Sequence, residues 1–297
     1  MFSGASFFYR RLPSPLHATR AVVAAAYGAA LAACALITEN PLLLGVLLLA
    51  VLAAASAAKV GWQLAGVLRL ALPMVLMTVL INVLVSRNGL TVFARLGDWG
   101  VLGQVDLTVE AVVYGCVMAL RLLVVMLACL LVVCTANPDE LLLAFRRISP
   151  HSALTATLAT RLIPVLGQDA RRLAEAQRCR PDGGARGMRG KLAIVGATVS
   201  GALDRSLDVA AVLEMRGYGA RGRVPAARRA LSRHDLAFAA AAVAIVGLSV
   251  FAAFSRTAAF QAYPLVSMSL SPAVFVLATL TFAVALAPFV DRRGIEP

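Results

Sequence analysis

Charge is scarce in this chain: Asp, Glu, Lys and Arg make up only 14% of its 297 residues, and aromatic residues only 6%. Soluble globular domains carry roughly 25% charged residues, so an ordinary soluble domain is excluded. Histidine is scarcer still. His17, His151 and His234 stand far apart and form no ligand-spaced cluster. Cys34, Cys116, Cys129 and Cys134 fall in apolar stretches and Cys179 in a polar one, with spacings that suit neither a metal site nor a disulfide framework. Gly187 to Lys191 reads GMRGK and lacks the five-residue run of a phosphate-binding loop. No serine sits in a nucleophile elbow. With no catalytic constellation in view, the expectation is a protein that is not an enzyme and binds no cofactor or metal of its own. The two halves do not mirror each other, and no repeat of fixed period is present. The first 18 residues do not read as a cleavable signal peptide, and the apolar segment after them reads as a membrane span.

What is abundant is apolar sequence, at 60% of residues with a mean hydropathy of +0.83. It is gathered into runs of spanning length, about 20 residues for a hydrocarbon core about 30 Å thick. Six stretches qualify: residues 21–37, 41–58, 70–86, 111–133, 236–254 and 271–290. Backbone groups in lipid must bond within their own segment, so each is expected to be helical. The fold class is therefore all-α, a polytopic membrane bundle of about six spans. Arg10, Arg11 and Arg20 precede the first stretch, Lys59 and Arg69 follow the second, and Asp291-Arg292-Arg293 closes the last. By the positive-inside rule both termini face the cytoplasm of a cell membrane. Most of the net charge of +13 then serves topology and contact with anionic lipid, so the bilayer is a partner and nucleic acid is not.

Three regions follow: spans one to four in 1–136, a cytoplasmic helical unit in 137–235, and spans five and six in 236–297. The middle region holds 17 Lys and Arg against 9 Asp and Glu, a net +8. Its pattern predicts three helices. The first opens at Asn137-Pro138-Asp139-Glu140, with acids against the positive helix end, and stops at Pro150. Ser152 can cap the second, whose apolar face is Leu154, Leu158, Leu162, Val165, Leu166 and Leu173, and which Pro164 should bend. The third carries Val195, Val199, Leu203, Leu207 and Ala210 on one stripe and ends at Glu214-Met215-Arg216-Gly217-Tyr218-Gly219, where the glycines suit a left-handed cap. Both long helices finish on arginine, at Arg180 and Arg216. A cation there gains about 0.3–1 kcal/mol from the helix dipole. A second reading sends the two guanidiniums into grooves of a soluble partner, for which the planar fork is suited.

Four blocks in order resemble one family. The run GALDRSLDVAAVLEMRGYGARGR is similar to the end of the last coupling helix in the transmembrane T component of energy-coupling factor transporters, and TRLIPVLGQDARRLAEAQRCR to the helix before it. MALRLLVVMLACLLVVCTANPDELLLAF and LINVLVSRNGLTVF resemble the spans upstream, so the likeness covers roughly residues 70–225. Arg216 matches the arginine of the second Ala-Arg-Gly motif, with Met215 in place of Ala and Gly217 retained. Arg180 matches the first, but Cys179 and Pro181 replace its neighbours, and Arg178 or Arg186 is positioned to share the role. The resemblance implies that these arginines dock two ATP-binding subunits of an ABC-type importer, and that the spans hold a small substrate-binding membrane subunit. The chain itself would carry no ATP site, and the cargo would be a vitamin or a metal ion.

Two polar residues lie inside spans. Arg121 costs at least ~2.5 kcal/mol at a span centre and is expected to bond carbonyls of a neighbouring helix or Asn82, with a direct substrate role as the rival. Asn82 carries the same structural expectation. Three other functions compete with the coupling subunit. A conventional importer permease would form the substrate path itself and needs only one short coupling loop. A membrane enzyme acting on lipids or isoprenoids would need acids such as Asp204, Asp208 and Glu214 to hold a metal, although Arg205 beside them favours a solvated face. A structural scaffold is the third.

Overall fold

A computed structural model describes residues 12–85, 91–98, 104–145, 150–179, 187–218, 232–255, 257–261, 267–268 and 271–291. The elements in chain order are α1 (Pro15–Ala18), α2 (Ala21–Ile37), α3 (Pro41–Ala57), α4 (Gly61–Val85), β1 (Val92–Asp98), β2 (Gln104–Thr108), α5 (Val109–Thr135), α6 (Pro138–Phe145), α7 (Pro150–Arg178), α8 (Gly187–Met215), α9 (Arg233–Ser255), β3 (Phe260–Gln261), β4 (Ser267–Met268) and α10 (Pro272–Val290). Helices dominate, and six of them are predominantly apolar. Four, of 19 to 27 residues, are long enough to cross a membrane: α4, α5, α9 and α10. At 17 residues each, α2 and α3 reach about 25 Å. The molecule is a membrane helical bundle. Two short antiparallel hairpins, β1 with β2 and β3 with β4, join its helices and were not anticipated from the apolar pattern.

The chain divides into two compact units, residues 1–141 with 231–297, and residues 142–230. In the first, α2 packs on α5 and α9, α4 on α5, and α10 on α3 and α9. Lipid removes the hydrophobic drive between helices, so close packing of small residues takes over. Gly28 of α2 shows this: a Cβ there would collide with the Val132 side chain of α5 and lie 3.4 Å from the Ala128 carbonyl. At the α4–α5 contact a Cβ on Gly115 would meet Val79 and Asn82 at 3.2–3.3 Å. Tyr27, Phe238 and Phe289 meet edge to face with centroids 5.0–6.2 Å apart, each pair adding about 0.5–1.5 kcal/mol. The buried Tyr27 hydroxyl donates to the Ala285 carbonyl at 2.7 Å.

Helix ends differ from the sequence expectation where local hydrogen bonding decides them. The third span starts nine residues early, at Gly61, and takes in Arg69, which was expected in a connection. A tight turn makes this start feasible. Lys59 adopts φ +60, its N–H donates to the Ser56 carbonyl and that of Val60 to the Ala55 carbonyl, which closes α3 and releases the chain directly into α4. Pro150 begins α7 instead of stopping the preceding helix, and Ser152 lies inside α7 instead of capping it. Proline is well placed there, since the first-turn N–H it lacks has no helical acceptor. Pro164 sits within α7, which continues to Arg178. At α9 the start moves back to Arg233 because Asp235 reaches the Ser232 N–H at 2.9 Å, half of a capping box.

The N-terminus of α2 gathers acids from two distant segments. Asp235, 3% exposed, accepts from the Arg20 N–H at 2.8 Å and pairs with its Nε at 3.5 Å. Glu140 accepts from the Ala21 N–H at 3.2 Å. Glu140 had been assigned to its own helix end; it stabilises the positive end of α2 as well. These contacts hold the residues that flank 142–230 to the bundle.

Candidate functional site

The unit formed by 142–230 contains α7 and α8, each of 29 residues, so each is about 43 Å long. They are packed together. The face expected to be apolar on α7, Leu154, Leu158, Leu162, Val165, Leu166 and Leu173, is half-buried. On α8 the half-buried positions are Ile194, Thr198, Ala202, Arg205, Val209 and Leu213, which recur at a spacing of three to four. The neighbouring stripe, the apolar one read from the sequence, is open: Val195, Val199, Leu203 and Leu207 are 52–70% exposed. The helix thus carries two apolar rows side by side, about 100° apart on its surface. The half-buried row is the one that holds a cation.

One ion pair ties the two helices. Arg205 donates from both Nη1 and Nη2 to one Asp169 oxygen, each at 3.1 Å. The pair lies within the row that turns inward, although that row, with Thr198, Ala202 and Arg205, is the less apolar of the two. Sequence reasoning assigned Arg205 to a solvated face and gave Asp169 no role. The signal was an acid and a base each falling among the half-buried positions of facing helices. By helical rise Arg178 lies about 14 Å beyond Asp169, and Arg216 about 17 Å beyond Arg205. The pair is thus a shared fixed point from which two arginine-bearing ends extend.

The end of α8 is fully described. Gly217 has φ +74, the left-handed region that glycine enters at no steric cost. Its N–H donates to the Glu214 carbonyl at 2.9 Å, and the Tyr218 N–H to the Leu213 carbonyl at 2.9 Å. Those two bonds are a Schellman cap. Met215 and Arg216 occupy the last helical and capping positions, and Met215, Arg216, Gly217 and Tyr218 are all exposed. The fixed turn therefore presents a cation on a carbonyl-rich helix end, suited to bidentate bonding with carboxylate or carbonyl groups of another protein. At the other helix, Arg178 is the exposed last residue of α7 and the Cys179 N–H donates to the Glu175 carbonyl at 3.1 Å. Arg180, Pro181 and Arg186 lie outside the described residues.

The intramembrane polar residues, Arg121 and Asn82, belong to the other unit. Arg121 donates from Nη2 to the Thr38 carbonyl at 2.8 Å, at the C-terminus of α2. Asn82 donates to the Thr78 carbonyl of its own helix at 2.9 Å. Among the described residues no group of three or more His, Cys, Asp or Glu could hold a metal ion.

A family model described as CbiQ, cobalt transport protein, matches residues 13–226, from α1 through the end of α8. That range takes in the first two apolar helices, upstream of the blocks that carry the sequence resemblance. No curated protein matches the chain.

Proposed function

The chain belongs to the CbiQ cobalt transport protein family, and from that premise we propose that it is the membrane coupling subunit of an energy-coupling factor importer. Its two cytoplasmic arms take up two ATP-binding subunits of the ABC type, at Met215-Arg216-Gly217 on one and at Arg178 and Arg180 on the other. Its spans and the open apolar stripe of α8 hold a small substrate-binding membrane subunit. The chain binds no ATP or other cofactor, performs no chemistry, and sits in the cell membrane with both termini cytoplasmic. The family's description favours a metal ion, cobalt, over a vitamin as the cargo.

The observation that carries this reading is the rigid cap of α8, which holds an exposed Arg216 at the tip of a long helix. A surface charge needed only for topology requires no such fixed turn. Closure of the ATP-binding pair would draw on both tips, and the packing of α7 on α8, with the Asp169–Arg205 pair across it, would let the two helices respond together. Arg216→Glu places like charge where the partner offers acceptors, so the ATP-binding subunits should no longer co-purify with the tagged chain while membrane insertion persists. Full ATP-driven uptake by vesicles reconstituted with this variant would overturn the proposal.

A further inference from the structure

The turn joining α2 to α3 ends beside the middle of α5, not beside its tip. Arg121, which holds the Thr38 carbonyl, is twelve residues into α5, so α5 runs on by about 18 Å past that level. A cavity of about 350 Å³ opens there, lined by Glu39, Tyr114, Val117, Met118, Arg121, Phe260 and Gln261. Small-molecule sites occupy about 300–1,000 Å³.

The chemistry of the lining is that of a binding site, not of a gap between packed helices. The guanidinium has five N–H donors, and protein occupies few of them. Nη2 is on Thr38, Nη1 has only the Met118 sulfur at 3.9 Å, and Nε is buried with no hydrogen-bond partner among the described residues. Glu39 is exposed on the turn and forms no ion pair with Arg121 among the described residues. Opposite charges thus share one cavity with no direct ion pair between them. A metal cation would be repelled by Arg121, and a purely anionic ligand by Glu39.

We propose that this cavity binds a zwitterionic headgroup of the phosphoethanolamine type. The phosphate sits on the Arg121 fork, which matches its oxygens. The ammonium sits on the Glu39 carboxylate with the Phe260 ring beside it, where a cation gains further attraction. Val117 and Met118 form the apolar wall for the rest of the molecule. The headgroup can arrive on a membrane phospholipid or as a soluble compound, and both carry the same recognised groups.

The test is a lipid titration of the purified full chain by native mass spectrometry, comparing phosphatidylethanolamine with phosphatidylglycerol. The wild type should retain the zwitterionic lipid about ten-fold more strongly, the worth of one charge-assisted contact. Glu39→Gln should bring the two lipids to parity. Glu39 is exposed, so the variant keeps the packing, and an unchanged melting midpoint verifies this. Arg121→Gln should lose both lipids. Free phosphoethanolamine separates the sources: if it raises the melting midpoint of delipidated wild type but not of Glu39→Gln, a soluble compound fills the site, and if only the phospholipid does so, the bilayer supplies it. Equal retention of both lipids by the wild type, or an unchanged preference in Glu39→Gln, overturns the proposal.

Discussion

Substituting Gly217 tests whether the cap of α8, and not merely the charge of Arg216, presents the docking surface. Gly217 sits at φ +74 and closes the helix through the bonds from Gly217 and Tyr218 to Glu214 and Leu213. An L residue in that region costs roughly 1–2 kcal/mol, and asparagine pays least among them because its short side chain tolerates the conformation. Destabilising the cap by about 1–2 kcal/mol lowers its capped-to-uncapped ratio about 5- to 30-fold. The apparent affinity of a partner that needs the capped form falls by the fraction lost. Gly217→Asn should therefore bind the ATP-binding subunits nearly as wild type does. Gly217→Ala should weaken binding by up to about ten-fold, and Gly217→Val by more. Dissociation constants for the full chain in lipid nanodiscs would give the series, with hydrogen exchange at 213–218 reporting the cap itself. Equal affinity across the series, with exchange at the cap accelerated in Ala and Val, would refute the argument: the cap would then be a helix stop and nothing more.

Three further outcomes follow from the geometry. The Asp169–Arg205 pair is partly open to solvent, with side chains 29% and 39% exposed, so a double-mutant cycle of Asp169→Asn and Arg205→Gln should give a coupling of only about 0.5–1 kcal/mol in thermal stability. Either single substitution should reduce coupled ATP-driven uptake more than it reduces stability. Gly28→Ala should destabilise the bundle by about 1–3 kcal/mol through collision with Val132, and Val132→Ala in the same chain should restore the melting midpoint. His17 is buried beside α2, and burial holds its pKa below the ordinary histidine value, with the Cys134 carbonyl opposing more weakly. The unfolded chain then takes up this proton at a higher pH than the folded one. The stability present above pH about 6.5 should fall as pH drops below that value and level off once the folded form also protonates. His17→Gln should flatten that part of the profile, and an unaltered profile would assign the acid sensitivity elsewhere.

What could be read from the sequence follows what the physics makes local. Span-length apolar runs are legible because lipid imposes helix and length together, and α2, α5 and α10 lie within two residues of their expected bounds. The Gly217 cap is legible because a left-handed residue after a periodic helix has few alternatives to glycine. The half-buried row of α8 is not the stripe that the sequence singles out, because the helix has two adjacent rows and hydrophobic periodicity selects the one without a charge. Val195, Val199, Leu203 and Leu207 form that row and are open; Ile194, Thr198, Ala202 and Val209 share theirs with Arg205 and are half-buried. The charge that sets the second row apart in sequence is paired in the fold, because its partner stands on α7. The Asp169–Arg205 pair was itself missed because 36 residues separate its members, and no local pattern signals a pairing that only tertiary structure brings about. Arg121 looked like a charge at mid-span because sequence counts from the ends of its own helix. Its surroundings are set by the shorter α2, whose C-terminal carbonyl it reaches.

The acids matter more than their number suggests in a chain of net charge +13. Asp235 is nearly inaccessible, and an isolated carboxylate there would cost several kcal/mol. It accepts from two amides and meets a guanidinium, and it stands at the positive ends of both α2 and α9, so its charge is compensated on every side. Glu140 adds a second carboxylate on the first amide of α2. These two residues are 95 positions apart (235 minus 140), one just before 142–230 and the other just after it. The strand of chain leading to the arginine-bearing arms and the strand returning from them are therefore anchored on one helix N-terminus. α2 in turn packs on α5 and α9, so both anchors bear on a short Ala-rich helix that itself contacts two longer spans.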